Sequence, residues 1–150
     1  MKENIREYVS EKTVRLLRGA GFYGYDSYKD VPVLGLRNLK GLGYYNTIAV
    51  LEYLKARYGS EEESGERVDY GDELTNIDEA FFRSGFTSDA KVSRMTVGEL
   101  IGNAGITSGE MEAALTVLTE KSRSECGWRP AREYNTRKEM LCDFKATEAP

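Results

Sequence analysis

The stretch 94–134, RMTVGELIGNAGITSGEMEAALTVLTEKSRSECGWRPAREY, constrains the fold most. Its apolar residues fall at helical spacing twice, with a glycine-containing turn between. Val97, Leu100 and Ile101 share one helical face. Gly105 is expected to end that helix, since glycine reaches the left-handed conformation at no steric cost. Ile106 plugs the turn. Thr107 or Ser108 can cap the next helix, with Glu110 and Glu112 in its positive first turn. Met111, Ala114, Leu115 and Leu118 then recur at helical spacing. A short strand is expected before the first helix and a two-stranded hairpin after the second. No long period-two run occurs in the chain, so the fold is expected to be mostly α.

This order of elements resembles a winged helix-turn-helix. Residues 74–84 would be its first helix, with Leu74, Ile77, Ala80, Phe81 and Phe82 apolar and Gly85 at the end. Residues 97–104 and 108–121 would be the helix-turn-helix pair, and 123–136 the wing. The pattern is similar to the small winged helix of DprA-type DNA-processing proteins, carried here by Glu99-Leu100, Gly105-Ile106 and Ala114-Leu115 with Leu118. Their nucleotide-fold domain is absent here, so their activity does not carry over. The resemblance implies DNA binding. The second helix fits that poorly, because its expected outward residues include Ser108, Glu110, Glu112, Thr116 and Glu120, and phosphates repel carboxylates. The wing suits it better, with Arg123, Arg129 and Arg132. Trp128 at its tip is either an interface anchor or a ring folded back onto the core.

Residues 31–58, VPVLGLRNLKGLGYYNTIAVLEYLKARY, carry the sharpest local motif. Leu39-Lys40-Gly41-Leu42-Gly43 precedes a helix with Ile48, Leu51 and Leu54 on one face. This looks like a helix-hairpin-helix, and also resembles the C-terminal domain of the RNA polymerase alpha subunit. Glycines at 41 and 43 would let backbone N–H groups approach a phosphate at a helix N-terminus. Arg37 and Lys40 would add charge. Three positions depart from the motif: Thr47 stands where alanine is usual, and Tyr44 and Tyr45 where residues are small or basic. The other reading is a tight helix–helix turn, with Tyr44 and Tyr45 as an interface.

The N-terminal region reads as a helix over residues 3–21, broken at Ser10, which can cap a second helix, and stopped by Gly21. Residues 8–28, YVSEKTVRLLRGAGFYGYDSY, resemble the opening of small uncharacterised proteins from gut anaerobes and their phages. Tyr23, Tyr25 and Tyr28 are either base-stacking rings beside Arg15, Arg18 and Lys29 or lids on a small core. Residues 59–73, GSEEESGERVDYGDE, read as an acidic linker. A last helix is expected from Met140, Leu141 and Phe144.

The 150 residues hold no histidine, which removes the usual general base and the commonest transition-metal ligand. Cys126 and Cys142 are isolated, not a zinc-spaced pair, and a disulfide between them is not expected. We therefore expect no enzyme, no catalytic or metal site and no cofactor. No apolar run approaches the ~18 residues of a membrane span, and the N-terminus lacks a signal peptide's apolar core. The expected location is cytoplasmic, in a bacterial cell, or in host cytoplasm or a virion if phage-encoded. Net charge is −4, yet residues 1–57 carry ten Lys/Arg against six Asp/Glu, and residues 121–138 six against two. Such zones are either anion-binding faces or an ordinary mixed surface.

The sequence thus predicts a mostly α protein of two small helical lobes, residues 1–58 and 74–150, joined by the linker, the second winged-helix-like with a minor β wing. The leading function is a non-enzymatic nucleic-acid-binding or regulatory module. Its expected site comprises Arg37, Lys40, Gly41, Gly43, Arg123, Arg129 and Arg132. The alternative is a protein–protein adaptor, host-protein inhibitor or phage structural protein, using Tyr44, Tyr45 and Trp128. A homo-oligomer is compatible with either.

Overall fold

The computed structural model describes residues 4–59, 72–124, 128–130 and 132–146. Among them nine α-helices follow in chain order: α1 (Glu11–Gly19), α2 (Tyr25–Tyr28), α3 (Val33–Arg37), α4 (Tyr44–Tyr58), α5 (Glu73–Arg83), α6 (Asp89–Ser93), α7 (Val97–Ile101), α8 (Met111–Ser122) and α9 (Arg137–Ala146). Single 3-10 turns stand at Ile5–Glu7 and Ser108–Glu110. The protein is mostly helical. Strand pairing among the described residues is confined to two isolated bridges, Pro32 with Thr96 and Leu39 with Tyr134. Residues 125–127 and 131 of the expected wing, and most of the expected linker, lie outside the described residues.

Local chemistry explains the helix ends. Ser10 Oγ accepts from Thr13 N–H at 3.3 Å and starts α1. Asp72 does the same for α5 through Leu74 N–H at 2.9 Å. Thr96 with Glu99, and Thr107 with Glu110, form reciprocal capping boxes. Gly21 and Gly85, at φ of 104° and 102°, stop α1 and α5.

The turn after α7 differs from expectation. The helix ends at Ile101, and Gly105 is not in the left-handed region. Asn103 holds the turn instead. Its Oδ1 accepts from Gly105 N–H at 3.0 Å, and its Nδ2 donates to Ser84 Oγ at 2.8 Å. A side chain that reaches both its own backbone and α5 removes the need for a glycine terminator. The strand expected before α7 shrinks to a bridge. Val33 N–H donates to Met95 O at 3.0 Å and Val97 N–H to Val31 O at 2.8 Å.

α8 is the axis of the molecule. Met111, Ala113, Ala114, Leu115, Val117 and Leu118 are all buried, a wider surface than the single stripe of a surface helix. It packs against α3, α4, α5 and α6. The recognition helix expected over 108–121 is therefore a core helix. Glu110, expected to face outward, is buried, with its carboxylate accepting from Thr107 N–H and Oγ1 at 2.8 and 3.0 Å. On α5, Ile77, Ala80 and Phe81 face the core, while Phe82 is turned outward and 59% exposed.

The buried residues of the two expected lobes belong to one cluster. Leu17, Leu36 and Leu51 from the first join Phe81, Leu100, Leu115 and Met140 from the second. α4 packs on α7 and α8, and α3 on α8 and α9.

The loop between α3 and α4 is set by its glycines. Gly41 and Gly43 have φ of 88° and 82°. Gly43, with ψ of 165°, occupies a region essentially reserved for glycine. A Cβ built there meets nothing within 4 Å, so any penalty is purely conformational. Gly43→Ala is expected to destabilise the protein by about 2 kcal/mol, read as a lower midpoint in urea with an unchanged slope. An unchanged midpoint would show that the loop relaxes without cost.

Candidate functional site

Two segments far apart in sequence lie side by side on one face. Leu39 and Leu42 are buried and anchor the α3–α4 loop from below, leaving Lys40 exposed between them. Residues 132–134 run alongside. Lys40 N–H donates to Tyr134 O at 2.8 Å, and Tyr134 N–H donates to Asn38 O at 2.9 Å. Asn38 Nδ2 adds a longer bond to Arg132 O at 3.4 Å. Tyr134 is fully buried, and its hydroxyl donates to the Asp143 carboxylate on α9. These bonds fix the basic segment following α8 against the α3–α4 loop.

A cavity of about 170 Å³ opens beside this junction, lined by Leu34, Arg37, Asn38, Thr119, Ser122, Arg123, Arg129 and Pro130. Arg37 comes from the end of α3, Arg123 from the end of α8, and Arg129 from the segment after it. No carboxylate is among the described residues that line it. None of the three arginines has an ion-pair partner among the described residues. The Arg37 guanidinium lies 5.9 Å from the Tyr44 ring centroid, and its Nε is buried without a hydrogen-bond acceptor. Unpaired guanidinium charge at a partly buried site carries a desolvation cost that an anion would offset. Thr119 Oγ1 and Ser122 Oγ donate to backbone oxygens within α8, at 2.8 and 2.7 Å. The arginines are thus the cavity's charged donors.

The other expected residues divide. Arg132 is committed internally: its Nη1 lies 2.7 Å from Glu139 Oε2. That hydrogen bond holds the Glu139 carboxyl below the usual carboxylate range. Lys40 is exposed on the α3–α4 loop. Tyr44 is half-buried, with its hydroxyl 3.4 Å from Glu112 Oε1. Tyr45 is 79% exposed and meets Tyr44 edge to face, with centroids 5.2 Å apart. Trp128 is only 5% exposed. Its ring packs edge-on against Phe144 at 5.2 Å, its backbone N–H donates to Ser93 Oγ at 2.6 Å, and its indole Nε1 is buried without an acceptor among the described residues. Its anchor role is inward, and it offers a partner almost no surface.

The N-terminal tyrosines mostly act as lids. Tyr25 stacks on Tyr58 at 4.7 Å, and buried Tyr28 stacks on Phe22 at 4.9 Å. Tyr53 packs between Tyr8 and Tyr58, and burial pushes its hydroxyl up to about 12. Tyr23 alone of the three loop tyrosines is strongly exposed. On α8, Glu112 and Glu120 are exposed, and Lys121 pairs with Asp78 and Asp89 at 3.5 and 3.3 Å. Sequence reasoning missed Asn38, Thr119, Ser122 and Pro130 as cavity residues, and nothing in their local pattern marks them.

Among the described residues no group of three or more His, Cys, Asp or Glu could hold a metal ion. No described helix is long and apolar enough to cross a membrane. No protein-family model, curated protein or solved structure matches the chain.

Proposed function

We propose that this protein is a non-enzymatic module that binds nucleic acid through its phosphates, acting in the cytoplasm. One observation carries the reading: Arg37, Arg123 and Arg129, from segments far apart in sequence, meet around one cavity with no carboxylate among its described lining residues. Arginine's planar fork matches phosphate oxygens in pairs and is more weakly hydrated than an ammonium. The helix-hairpin-helix likeness of residues 31–58 supports the same face, since Lys40 stands on the adjoining loop. Binding is assigned to the hairpin and the segment after α8, not to a groove-reading helix, because α8 serves the core.

The test is a double charge reversal. Arg123 and Arg129 are exposed, so Arg123→Glu with Arg129→Glu should leave the fold intact by circular dichroism. Two charge-assisted hydrogen bonds lost from such a site correspond to roughly 100-fold weaker binding. The logarithmic salt slope should flatten by about 2. A folded double variant with unchanged affinity would sink the proposal, as would no binding by the parent protein at ~50 mM salt, where the phosphate attraction is strong.

A protein-adaptor reading draws on a separate observation, the exposure of Tyr45 and Phe82. Large aromatic rings concentrate interface energy. Under that reading Tyr45→Ala abolishes capture of the partner while the double charge reversal leaves it unchanged.

A further inference from the structure

Charge, size and neighbourhood narrow the ligand of the arginine cavity. Three arginines line it. An internal phosphodiester brings one negative charge, whereas a phosphate monoester brings about −1.5 to −2 at neutral pH and three acceptor oxygens. The monoester therefore neutralises more of the cluster and offers more sites to its forked donors. Size points the same way. About 170 Å³ is well below the roughly 300–1,000 Å³ of sites that enclose whole small molecules. A space of that size suits an anionic group better than a whole nucleoside enclosed with it.

The rest of a nucleotide must then lie outside, and the adjoining surface is aromatic. Tyr44 links Arg37, at 5.9 Å from its ring, to Tyr45, at 5.2 Å from it. Tyr45 presents its ring to solvent. An exposed ring stacks a base only when that base is unpaired, and does so with little regard to sequence. Lys40 stands on the loop that leads into this helix and faces solvent. Glu112 accepts from the Tyr44 hydroxyl on this aromatic step and is not among the described residues that line the cavity.

We infer that Arg37, Arg123 and Arg129 seat the terminal phosphate of a single-stranded nucleic acid, with Tyr45 as the platform for the neighbouring base. The inference rests on the nucleic-acid reading above and adds to it the class of ligand, a phosphorylated end.

The experiment uses the whole chain and one internally labelled single-stranded DNA sequence in three forms: 5′-phosphorylated, 3′-phosphorylated, and hydroxyl at both ends. Binding is followed by fluorescence anisotropy. One phosphorylated end should bind roughly tenfold or more tighter than the hydroxyl form, the effect of about one charge-assisted hydrogen bond. The two phosphorylated arms show which end is read. Arg37→Gln should erase the preference. Because Arg37 is partly buried, Arg129→Gln, at an exposed position, is the second variant and should erase it too, with melting curves confirming both folds. Tyr45→Ala should weaken all three forms by a similar factor and leave the ratio intact. Equal affinity for the three forms, still steeply salt-dependent, overturns this inference while the nucleic-acid reading stands. No binding of any form overturns both. Binding of a phosphoserine peptide that no oligonucleotide displaces overturns both and assigns the cavity to a phosphorylated protein.

Discussion

Replacing Lys55 with methionine is expected to lower the melting temperature by roughly 10 °C. Lys55 lies on α4 and is 1% exposed. Its Nζ donates to Ile101 O at 2.9 Å and to Asn103 O at 2.7 Å. These are carbonyls at and just beyond the end of α7, of the kind a helix terminus leaves without partners. A cation there also meets the negative end of the helix dipole. Methionine keeps much of the apolar stem that lysine buries, so the change isolates the ammonium. Each buried carbonyl left without its donor costs about 1–3 kcal/mol. Relief of the ammonium's own desolvation offsets part of this, leaving a net loss of about 3 kcal/mol. A protein of this size shifts by about 2–4 °C per kcal/mol. Differential scanning calorimetry reads the change directly. A methionine variant as stable as the parent would show that these carbonyls find other donors.

Trp128→Ala is expected to cost about 4 kcal/mol, in the range for emptying a large aromatic from a core. The ring stands at one end of a short stack. It meets Phe144 edge-on, and Phe144 in turn lies 4.3 Å from the Arg94 guanidinium. Arg94 Nη2 also donates to Phe144 O at 3.1 Å. Together with the bond from Trp128 backbone N–H to Ser93 Oγ, these contacts pin the segment carrying Arg129 onto α6 and α9. The substitution should therefore lower stability and anion affinity together. Trp128→Phe, which keeps an aromatic body at the site, should recover much of both. Chemical denaturation and oligonucleotide titration of the two variants check this. An alanine variant that folds as stably as the parent but loses a protein partner would return Trp128 to the surface role.

Much of the helical content was legible because its signals are local. The serine at 10, the glycines at 21 and 85, and the threonine at 107 each act within four residues of themselves. The Met111–Leu118 spacing was legible too, but not its consequence. Ala113 and Val117 widen the apolar surface of α8 beyond one stripe, and that width marks a central helix. Reading only the best stripe turned a core element into an exposed one. Gly105 misled for a related reason: Asn103 ends the turn by reaching across to α5, a tertiary bond that no spacing announces. The boundary at 59–73 was drawn from composition, which describes how polar a segment is and not what packs across it. The site shows the same division. Arg37, Arg123 and Arg129 each stood out as local positive charge. Their meeting depends on backbone bonds between residues 38–40 and 134, which no side-chain pattern encodes. Arg132 was equally prominent in the sequence, and Glu139, seven residues on, takes it.

The late part of the chain closes the early part. Arg137 N–H donates to Ala20 O at 2.8 Å, and Arg137 Nε donates to Ser27 O at 2.6 Å across a separation of 110 residues. Tyr134 likewise completes the loop at Asn38 and Lys40. On a ribosome adding about 5–20 residues per second, the loop therefore waits on the order of ten seconds for its partner. Until then α3 lacks α9, and the cavity lacks Arg123, Arg129 and Pro130. The arginine cavity is therefore assembled only after the segment through Pro130 has been made.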